Sequence, residues 1–277
     1  MKNNIKTKLS IIGLLLAILI ILPYEFLWGK LFPYSPVKLG FTKYEFSNVV
    51  IYAQKGSENY NYKSIDSLIP AVEKFHKLHF IQKPEILFFR DANSYYQRTI
   101  TKARFCSYPN GTLVVSPWAV RESFNGKISM DIYLRHELSH TLLYQHMGFI
   151  TTYFIYPRWL LEGIAVYSSN QMGTSWYPSK KDTYEYIRQG SFLPPAYFNT
   201  KKEDDVKLNV KYKTAFAYSE FGCIVDYLIT NYGKEIFMEY MMRLLDCYHP
   251  EKVFKDVYRI DFSTCINNFK KYVKEHN

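Results

Sequence analysis

The chain has 277 residues, a formal net charge of +10 and an apolar fraction of 48%, which is typical of a folded protein. Its lysines are scattered and accompany no nucleic-acid-binding motif, so we expect a solvated basic surface and no nucleic-acid partner; attraction to anionic lipid headgroups is the alternative. None of its four cysteines forms a C-x-x-C pair, which excludes a cysteine zinc knuckle and a dithiol redox motif.

The N-terminus predicts a membrane segment. Three lysines within the first eight residues precede an apolar run of 14 residues, Leu9 to Leu22, which reaches a membrane-spanning length if it continues to Trp28. No small-x-small cleavage motif follows, so residues 1–28 are predicted to be an uncleaved signal anchor; a cleaved signal peptide and a secreted product are the alternative. Because the lysines favour a cytoplasmic N-terminus, we expect a single-pass protein of the cell membrane with its folded domain outside the cytoplasm.

Prolines and glycines in residues 29–43 predict a linker, and a folded domain should follow over residues 44–277. Its first half, residues 44–147, shows strand patterns and three helical patterns, and its second half, residues 148–277, is helical in character. The expected strands are 44–53, 85–89 and 112–116, and the expected helices are 64–80, 91–101, 129–147, 158–169, 182–189, 212–231, 234–247 and 250–276, the last broken near Asp261. This order predicts an α+β fold.

The helix predicted over 129–147 contains the pattern H-E-x-x-H, formed by His136, Glu137 and His140. Residues four apart project from the same face of a helix, so the two imidazoles can bind one metal ion. Glu137 lies between them in angle and can reach a water on that ion, where a general base is needed. The pattern is short, and it needs a third ligand to be convincing.

A second pattern offers that ligand. Pro157 opens a helix that is apolar almost all round apart from Glu162, and a carboxylate in such a helix is costly unless it binds a cation or a hydrogen-bonding partner. Gly163 beside it indicates close approach of another element. Two histidines, one glutamate and an open fourth position are typical of a catalytic zinc site, so the predicted cofactor is Zn²⁺ held by His136, His140 and Glu162.

These motifs resemble those of the gluzincin zinc metallopeptidases. H-E-L-S-H at residues 136–140 and W-L-L-E-G-I-A at residues 159–165, with 21 residues between His140 and Glu162, are similar to the paired motifs of the aminopeptidase N-like group and the peptidase MA-like domains. The resemblance covers roughly residues 112–245. It implies a zincin-like fold, in which a small mixed sheet lies over the metal-binding helix and its edge strand pairs with substrate. Residues 112–116 are expected to be that edge strand.

The chain departs from this family in two places. The gap before Glu162 is slightly long and strongly apolar over residues 149–156, for which we expect packing in the core or a hairpin; a membrane-facing or substrate-gripping loop is the alternative. No segment like the G-x-M-E-N motif, which grips a substrate's free amine in the aminopeptidases, is present. The resemblance therefore does not imply exopeptidase activity.

The segment from Tyr212 to Gly222 resembles the part of the gluzincins whose tyrosine stabilises the tetrahedral intermediate. Tyr218 matches that tyrosine best by position, with Tyr212 as the second candidate, and a phenol is a suitable donor to a developing oxyanion. Because the chain has 26 tyrosines, ordinary core packing of Tyr218 stays open as well.

The function that these patterns predict is zinc-dependent hydrolysis of peptide bonds in a peptide or protein, with Glu137 as general base and Tyr218 as oxyanion donor. Two alternatives stay open: a zinc hydrolase of a non-peptide amide, and a catalytically silent protein that keeps the site for binding or assembly. The general base argues against the silent protein, because a structural metal site has no use for one.

Overall fold

The structure, a computed structural model, describes residues 19–57, 60–198 and 200–276. The predicted signal anchor, residues 1–28, lies largely outside these ranges; of its described part, residues 19–27 are helical. Among the described residues, none of the helices is both long enough and apolar enough to cross a membrane.

A five-stranded mixed sheet forms in the first half of the chain. Its strands, in the order β1-β2-β3-β5-β4, pair in parallel in the centre (β2, β3 and β5) and antiparallel at both edges. The strands are β1 (Phe41–Glu45), β2 (Val50–Gln54), β3 (Glu85–Phe88), β4 (Phe105–Ser107) and β5 (Thr112–Val115).

Alternate side chains along each central strand point to opposite faces of the sheet and pack into two separate apolar clusters. On β3, Ile86 and Phe88 join the main core, whereas Leu87 packs into a smaller cluster on the opposite face with Phe32 and Tyr95. Both faces are therefore buried, which explains why the central strands read as continuous apolar runs with no polar alternation.

The sheet departs from the sequence prediction in two ways. The strand expected over 44–53 is a hairpin of β1 and β2, because the chain turns between them at Phe46 and Val49, whose backbone groups hydrogen bond. Residues 112–116 were expected at the sheet edge, but β5 lies between β3 and β4. The edge belongs to β4, which has only three residues and is too short to show a strand period.

The segment expected to be a linker, residues 29–43, packs against the sheet over much of its length. Phe32 is fully buried in a 3₁₀ turn, Phe32–Tyr34. The buried Lys38 ammonium donates hydrogen bonds to the carbonyls of Pro33 and Ser35, at 2.9 and 2.6 Å. The folded body therefore begins before residue 44.

Eleven further helices follow residues 19–27 within the described ranges, and most agree with the sequence prediction to within a few residues. The predicted helix 64–80 is two short ones, and a helix introduced by the N-cap Ser116 was not expected. In chain order they are α1 (Tyr62–Asp66), α2 (Ile69–His76), α3 (Ala92–Arg98), α4 (Pro117–Phe124), α5 (Met130–His146), α6 (Arg158–Ser169), α7 (Lys180–Arg188), α8 (Lys213–Tyr232), α9 (Lys234–Leu244), α10 (Pro250–Tyr258) and α11 (Phe262–Glu275).

The apolar segment between α5 and α6 forms a single π-helical turn, Thr151–Ile155. Packing in the core or a hairpin was expected here, but the residues Phe149, Ile150, Tyr153 and Phe154 are 49–71% exposed. A single turn can pack only one of its sides against the core, and here that side carries Thr151 and Tyr156. The apolar side chains on the other side form an exposed surface.

A buried histidine joins α2 to the underside of α5. One ring nitrogen of His76, Nδ1, lies 2.9 Å from the carbonyl oxygen of Val72, and the other, Nε2, lies 2.9 Å from Ser139 Oγ. Burial lowers the pKa of His76 to about 4. The ring is therefore neutral at physiological pH, donating to Val72 and accepting from Ser139.

This histidine should make stability depend on pH. The unfolded chain protonates His76 below its ordinary pKa of 6.5, whereas the folded protein resists protonation until about pH 4, so stabilisation present above pH 6.5 is lost as the pH falls. The contribution is about 1.4 kcal/mol per pH unit inside that window. Urea unfolding at pH 7 and pH 5 should show the wild-type protein losing about 2 kcal/mol more than His76→Gln. An equal loss in both proteins would contradict this assignment.

Candidate metal centre

Helix α5 places both histidines of the H-E-x-x-H pattern at the interior. Leu134, Leu138 and Leu142 are completely buried and fix one face of the helix against the core. The neighbouring face carries His136 and His140, which are only 5% and 6% exposed. Because the helix is anchored by its leucines, the two imidazoles have a fixed direction.

Glu162 reaches the same point from α6. A side-chain carbon added at Gly163 would lie 2.6 Å from the carbonyl oxygen of Phe221 on α8, so only glycine permits the observed approach of the two helices. The close approach predicted at Gly163 is confirmed. It brings Glu162 of α6 next to Tyr218 of α8.

Three ligand atoms converge at this point. His136 Nε2 and His140 Nε2 are 3.1 Å apart, and each lies 3.4 Å from Glu162 Oε2. An ion with tetrahedral coordination and bonds of about 2.0–2.2 Å separates its ligands by about 3.3–3.5 Å, which these distances approach. The described residues contain a single group of three or more potential metal ligands, and it is this one.

The electrostatics of the three side chains also suit a cation. Burial raises the pKa of Glu162, but the two imidazoles outweigh burial and hold this pKa well below its usual range. Burial lowers the pKa of His140, and the Glu162 carboxylate outweighs it in turn, so the net shift is upward. Glu162 Oε2 is buried, and its nearest polar neighbours among the described residues are the two imidazole Nε2 atoms, each 3.4 Å away. A buried anionic oxygen of this kind fits a bound metal ion.

Packing orients the two histidine rings. Their Nδ1 atoms have no hydrogen-bond partner among the described residues. The His136 ring is nearly parallel to that of Tyr218, with centroids 6.3 Å apart, and the His140 ring lies 6.2 Å from that of Tyr144.

Glu137 is partly exposed beside the triad, and Ser107 holds its carboxylate. Ser107 Oγ lies 2.9 Å from Glu137 Oε2 and 2.7 Å from the Glu137 carbonyl oxygen. The single Ser107 hydroxyl hydrogen can be donated to either oxygen, and Thr141 Oγ1 lies 3.0 Å from the same carbonyl oxygen and 3.1 Å from Ser107 Oγ. Sequence reasoning missed Ser107, because it lies 30 residues from Glu137 and carries no motif.

Tyr218 lies beside the triad and contacts one of its members. Its hydroxyl donates to Glu162 Oε1 at 2.8 Å. Burial raises the pKa of Tyr218 well above its usual value, and the Glu162 carboxylate raises it further, so the phenol stays a proton donor. Tyr212, the second candidate, is 43% exposed just before the first turn of α8.

A cavity of about 570 Å³ opens onto the triad, and the sheet edge β4 forms one wall of it. The carbonyl of Arg104 accepts a hydrogen bond from the amide of Ser116, which directly follows β5, and the amide of Tyr108 donates to the carbonyl of Thr112 in β5. Peptide groups alternate in direction along a strand, so those of Phe105 and Ser107 point toward the open edge. The cavity is lined by residues of β4 and its approach (Ala103, Arg104, Phe105, Cys106, Ser107), of α5 (Tyr133, His136, Glu137, His140, Tyr144), of α6 and the following loop (Glu162, Gln171, Trp176, Tyr177) and of the start of α8 (Tyr212, Lys213, Thr214, Ala215, Tyr218).

No protein-family model and no curated protein matches this chain. Solved structures that match this chain include the M1 zinc metallopeptidase from Deinococcus radiodurans, at 11% identity and a TM-score of 0.44. The alignment covers 84% of this chain and 50% of that one. A point mutant of the same metallopeptidase matches over the same shares at 10% identity and a TM-score of 0.44. The chain spans about half the length of these structures, and at this level of likeness its function must be inferred from its own geometry.

We expect Tyr218→Phe to lower kcat by about 10- to 1000-fold with little change in KM, because an oxyanion donor acts in the transition state alone. Tyr212→Phe, measured in parallel, decides between the two candidate tyrosines.

The bond from Tyr218 to Glu162 provides a second measurable outcome. If Tyr218→Phe weakens zinc binding by about 10- to 100-fold and leaves kcat unchanged at saturating zinc, the phenol orients the ligand and the oxyanion role is wrong. If Tyr212→Phe alone lowers kcat, Tyr212 is the oxyanion donor.

Proposed function

We propose that this chain is a zinc-dependent peptidase with a zincin-like catalytic domain. The observation that carries the proposal is the convergence of His136 Nε2, His140 Nε2 and Glu162 Oε2 within 3.1–3.4 Å of one another at the floor of an open cavity. A closed structural site would surround the ion with protein ligands, whereas three ligands facing a cavity leave a position for water or substrate.

When zinc is bound by these three side chains, it supplies Lewis acidity, which makes water a stronger acid and polarises a carbonyl group. Glu137 lies beside the triad and accepts the proton of the attacking water. The Ser107 hydroxyl holds the carboxylate in place, and the same carboxyl group later passes the proton to the leaving amine. Tyr218 is the proposed donor to the oxyanion.

The sheet edge favours a peptide over other amides. An extended peptide can add to β4 as a further strand, because the backbone groups of Phe105 and Ser107 point to the free edge of this strand, which lines the cavity. Such pairing holds the scissile bond above the triad without requiring a particular side chain. A non-peptide amide would gain nothing from a strand edge.

Two measurements on the purified protein test this proposal. Elemental analysis should find about one zinc per chain, and a peptide library analysed by mass spectrometry should show cleavage that a chelator abolishes and added zinc restores. A protein that binds zinc stoichiometrically and cleaves no member of the library would favour the silent binding protein. A protein without affinity for zinc would overturn both.

We propose in addition that residues 1–28 anchor the domain to the cell membrane, with the catalytic cavity outside the cytoplasm. The lysine-flanked apolar run Leu9 to Leu22 supports this, and lipid is then a partner of the chain. The full chain is expected to resist extraction from membranes by alkaline carbonate, whereas a variant lacking residues 1–28 should be released. A product that lacks its first residues and is free in the medium would show a cleaved signal peptide.

A further inference from the structure

One end of the cavity is a box of aromatic side chains, which we call the aromatic subsite. It is formed by Phe105, Tyr133, Trp176 and Tyr177, with the side chain of Gln171 at its base. Phe105 stacks on Tyr133 with ring centroids 5.3 Å apart, and Tyr177 meets Tyr133 edge to face at 6.2 Å. The metal centre adjoins this subsite, because Tyr133 lies one helical turn before His136 on α5.

Gln171 is a polar residue in an unusual position. It is completely buried, and neither its amide oxygen nor its amide nitrogen forms a well-aligned hydrogen bond with a described residue. The Tyr133 hydroxyl lies near the side chains of Ser175 and Gln171 but also forms no well-aligned hydrogen bond. Buried polar atoms are nearly always paired, so an unpaired amide lining a cavity indicates a partner supplied by a ligand.

The backbone holds Gln171 firmly in this place. Asn170 ends α6 in the left-handed conformation, and the Gln171 amide N–H then donates to the Val166 carbonyl at 3.1 Å. The Gln171 carbonyl accepts from Thr174 Oγ1 at 2.7 Å. The side chain is therefore presented to the cavity by a rigid turn, which is what a selective site requires.

The charge of the aromatic subsite is balanced. The Arg104 guanidinium lies 4.2 Å from the ring centroid of Trp176, but it forms a two-point ion pair with Glu122. This pair leaves little net charge for a ligand to meet. The aromatic walls favour a neutral, planar ligand group, which can pack against their rings. The Gln171 amide favours a hydroxyl or amide at the end of that group, with which it can form hydrogen bonds.

We propose that the aromatic subsite selects a neutral, planar substrate side chain that ends in a hydrogen-bonding group, and that tyrosine fits it best. The proposal rests on the peptidase function proposed above and names its substrate class. The aromatic walls take the ring, and the Gln171 amide and the Tyr133 hydroxyl pair with the phenol. A site built to hydrogen bond a substrate group discriminates strongly against the analogue that lacks it.

The test compares peptides that differ by one hydroxyl. The full chain loaded with zinc is given acetylated, amidated alanine octapeptides with tyrosine, phenylalanine, glutamine, leucine, glutamate or lysine at one central position. Mass spectrometry identifies the bond cut, and hence the side of the scissile bond on which that residue binds. The tyrosine peptide should exceed the phenylalanine peptide in kcat/KM by at least about tenfold. Equal values within twofold would overturn the proposal without any mutagenesis.

Gln171→Met is the decisive variant, because it keeps the length of the side chain and removes both hydrogen-bonding groups. The tyrosine-to-phenylalanine ratio should fall to within about twofold of one. Gln189→Met is the matched control, since Gln189 is exposed and its side chain bonds, among the described residues, only to Glu185, at 2.8 Å. It should leave the ratio at the wild-type value. A ratio that survives Gln171→Met in a folded protein would place the selectivity elsewhere.

Binding separates this proposal from the peptidase function. Calorimetry of the same peptides with the Glu137→Gln variant measures occupancy of the subsite without hydrolysis. Preference for tyrosine over phenylalanine in binding, lost in Glu137→Gln combined with Gln171→Met, supports the subsite even if no peptide is cleaved by the wild-type protein. Equal binding of the two peptides would overturn the subsite even if hydrolysis is found.

Discussion

Glu137→Gln is expected to lower peptide hydrolysis by about 10²- to 10⁴-fold, because a positioned general base contributes about that much to the rate. The amide has nearly the same shape as the carboxylate, and its oxygen can still accept the hydrogen bond from Ser107. The three ligand atoms belong to other residues, so the zinc content should stay near that of the wild-type protein. Initial rates on the best library peptide, with zinc measured on the same sample, check both expectations.

A matched variant controls for general effects of replacing a carboxylate with an amide. Glu185→Gln changes an exposed carboxylate on α7 that contacts only Arg188 and Gln189 among the described residues. This variant should hydrolyse the peptide at the wild-type rate. Wild-type turnover in a zinc-loaded Glu137→Gln protein would show that Glu137 is not the base.

Glu162→Ala is expected to weaken zinc binding by at least about 100-fold, since loss of a ligand should exceed the 10- to 100-fold effect of losing a residue that only supports one. The physical reason is that Glu162 supplies the one anionic oxygen of the triad, 3.4 Å from each imidazole Nε2. Competition with a chromogenic chelator measures the affinity. His140→Ala should show a comparable loss, because it removes another of the three ligands.

The control for Glu162 is a neighbouring carboxylate outside the triad. Glu203 bonds to Arg158 at 3.2 Å and to Thr214 at 2.8 Å and contributes no atom to the convergence point. Glu203→Gln should therefore bind zinc as the wild-type protein does. If Glu162→Ala binds zinc as tightly as the wild-type protein, the third ligand lies elsewhere.

Local sequence patterns were sufficient to predict much of this structure. The period of the α-helix places His136 and His140 on one face whatever surrounds them, so their approach to a common point was predictable. Pro157 marked the start of α6 to within one residue, and the isolated carboxylate of Glu162 in an apolar helix indicated a partner before any neighbour was known. The α+β order of strands and helices followed from the same periodicities.

Contacts between distant parts of the chain decided the rest. The three residues of β4 show no period of their own, and this strand takes the sheet edge because it pairs with β5. Ser107 contacts Glu137, and Tyr218 contacts Glu162 across 56 residues. The amide of Gln171 reached the cavity because α6 ends in a left-handed turn at Asn170. Sequence periodicity reports the direction of a side chain within its own element, whereas a partner from another element depends on how the helices and the sheet pack together.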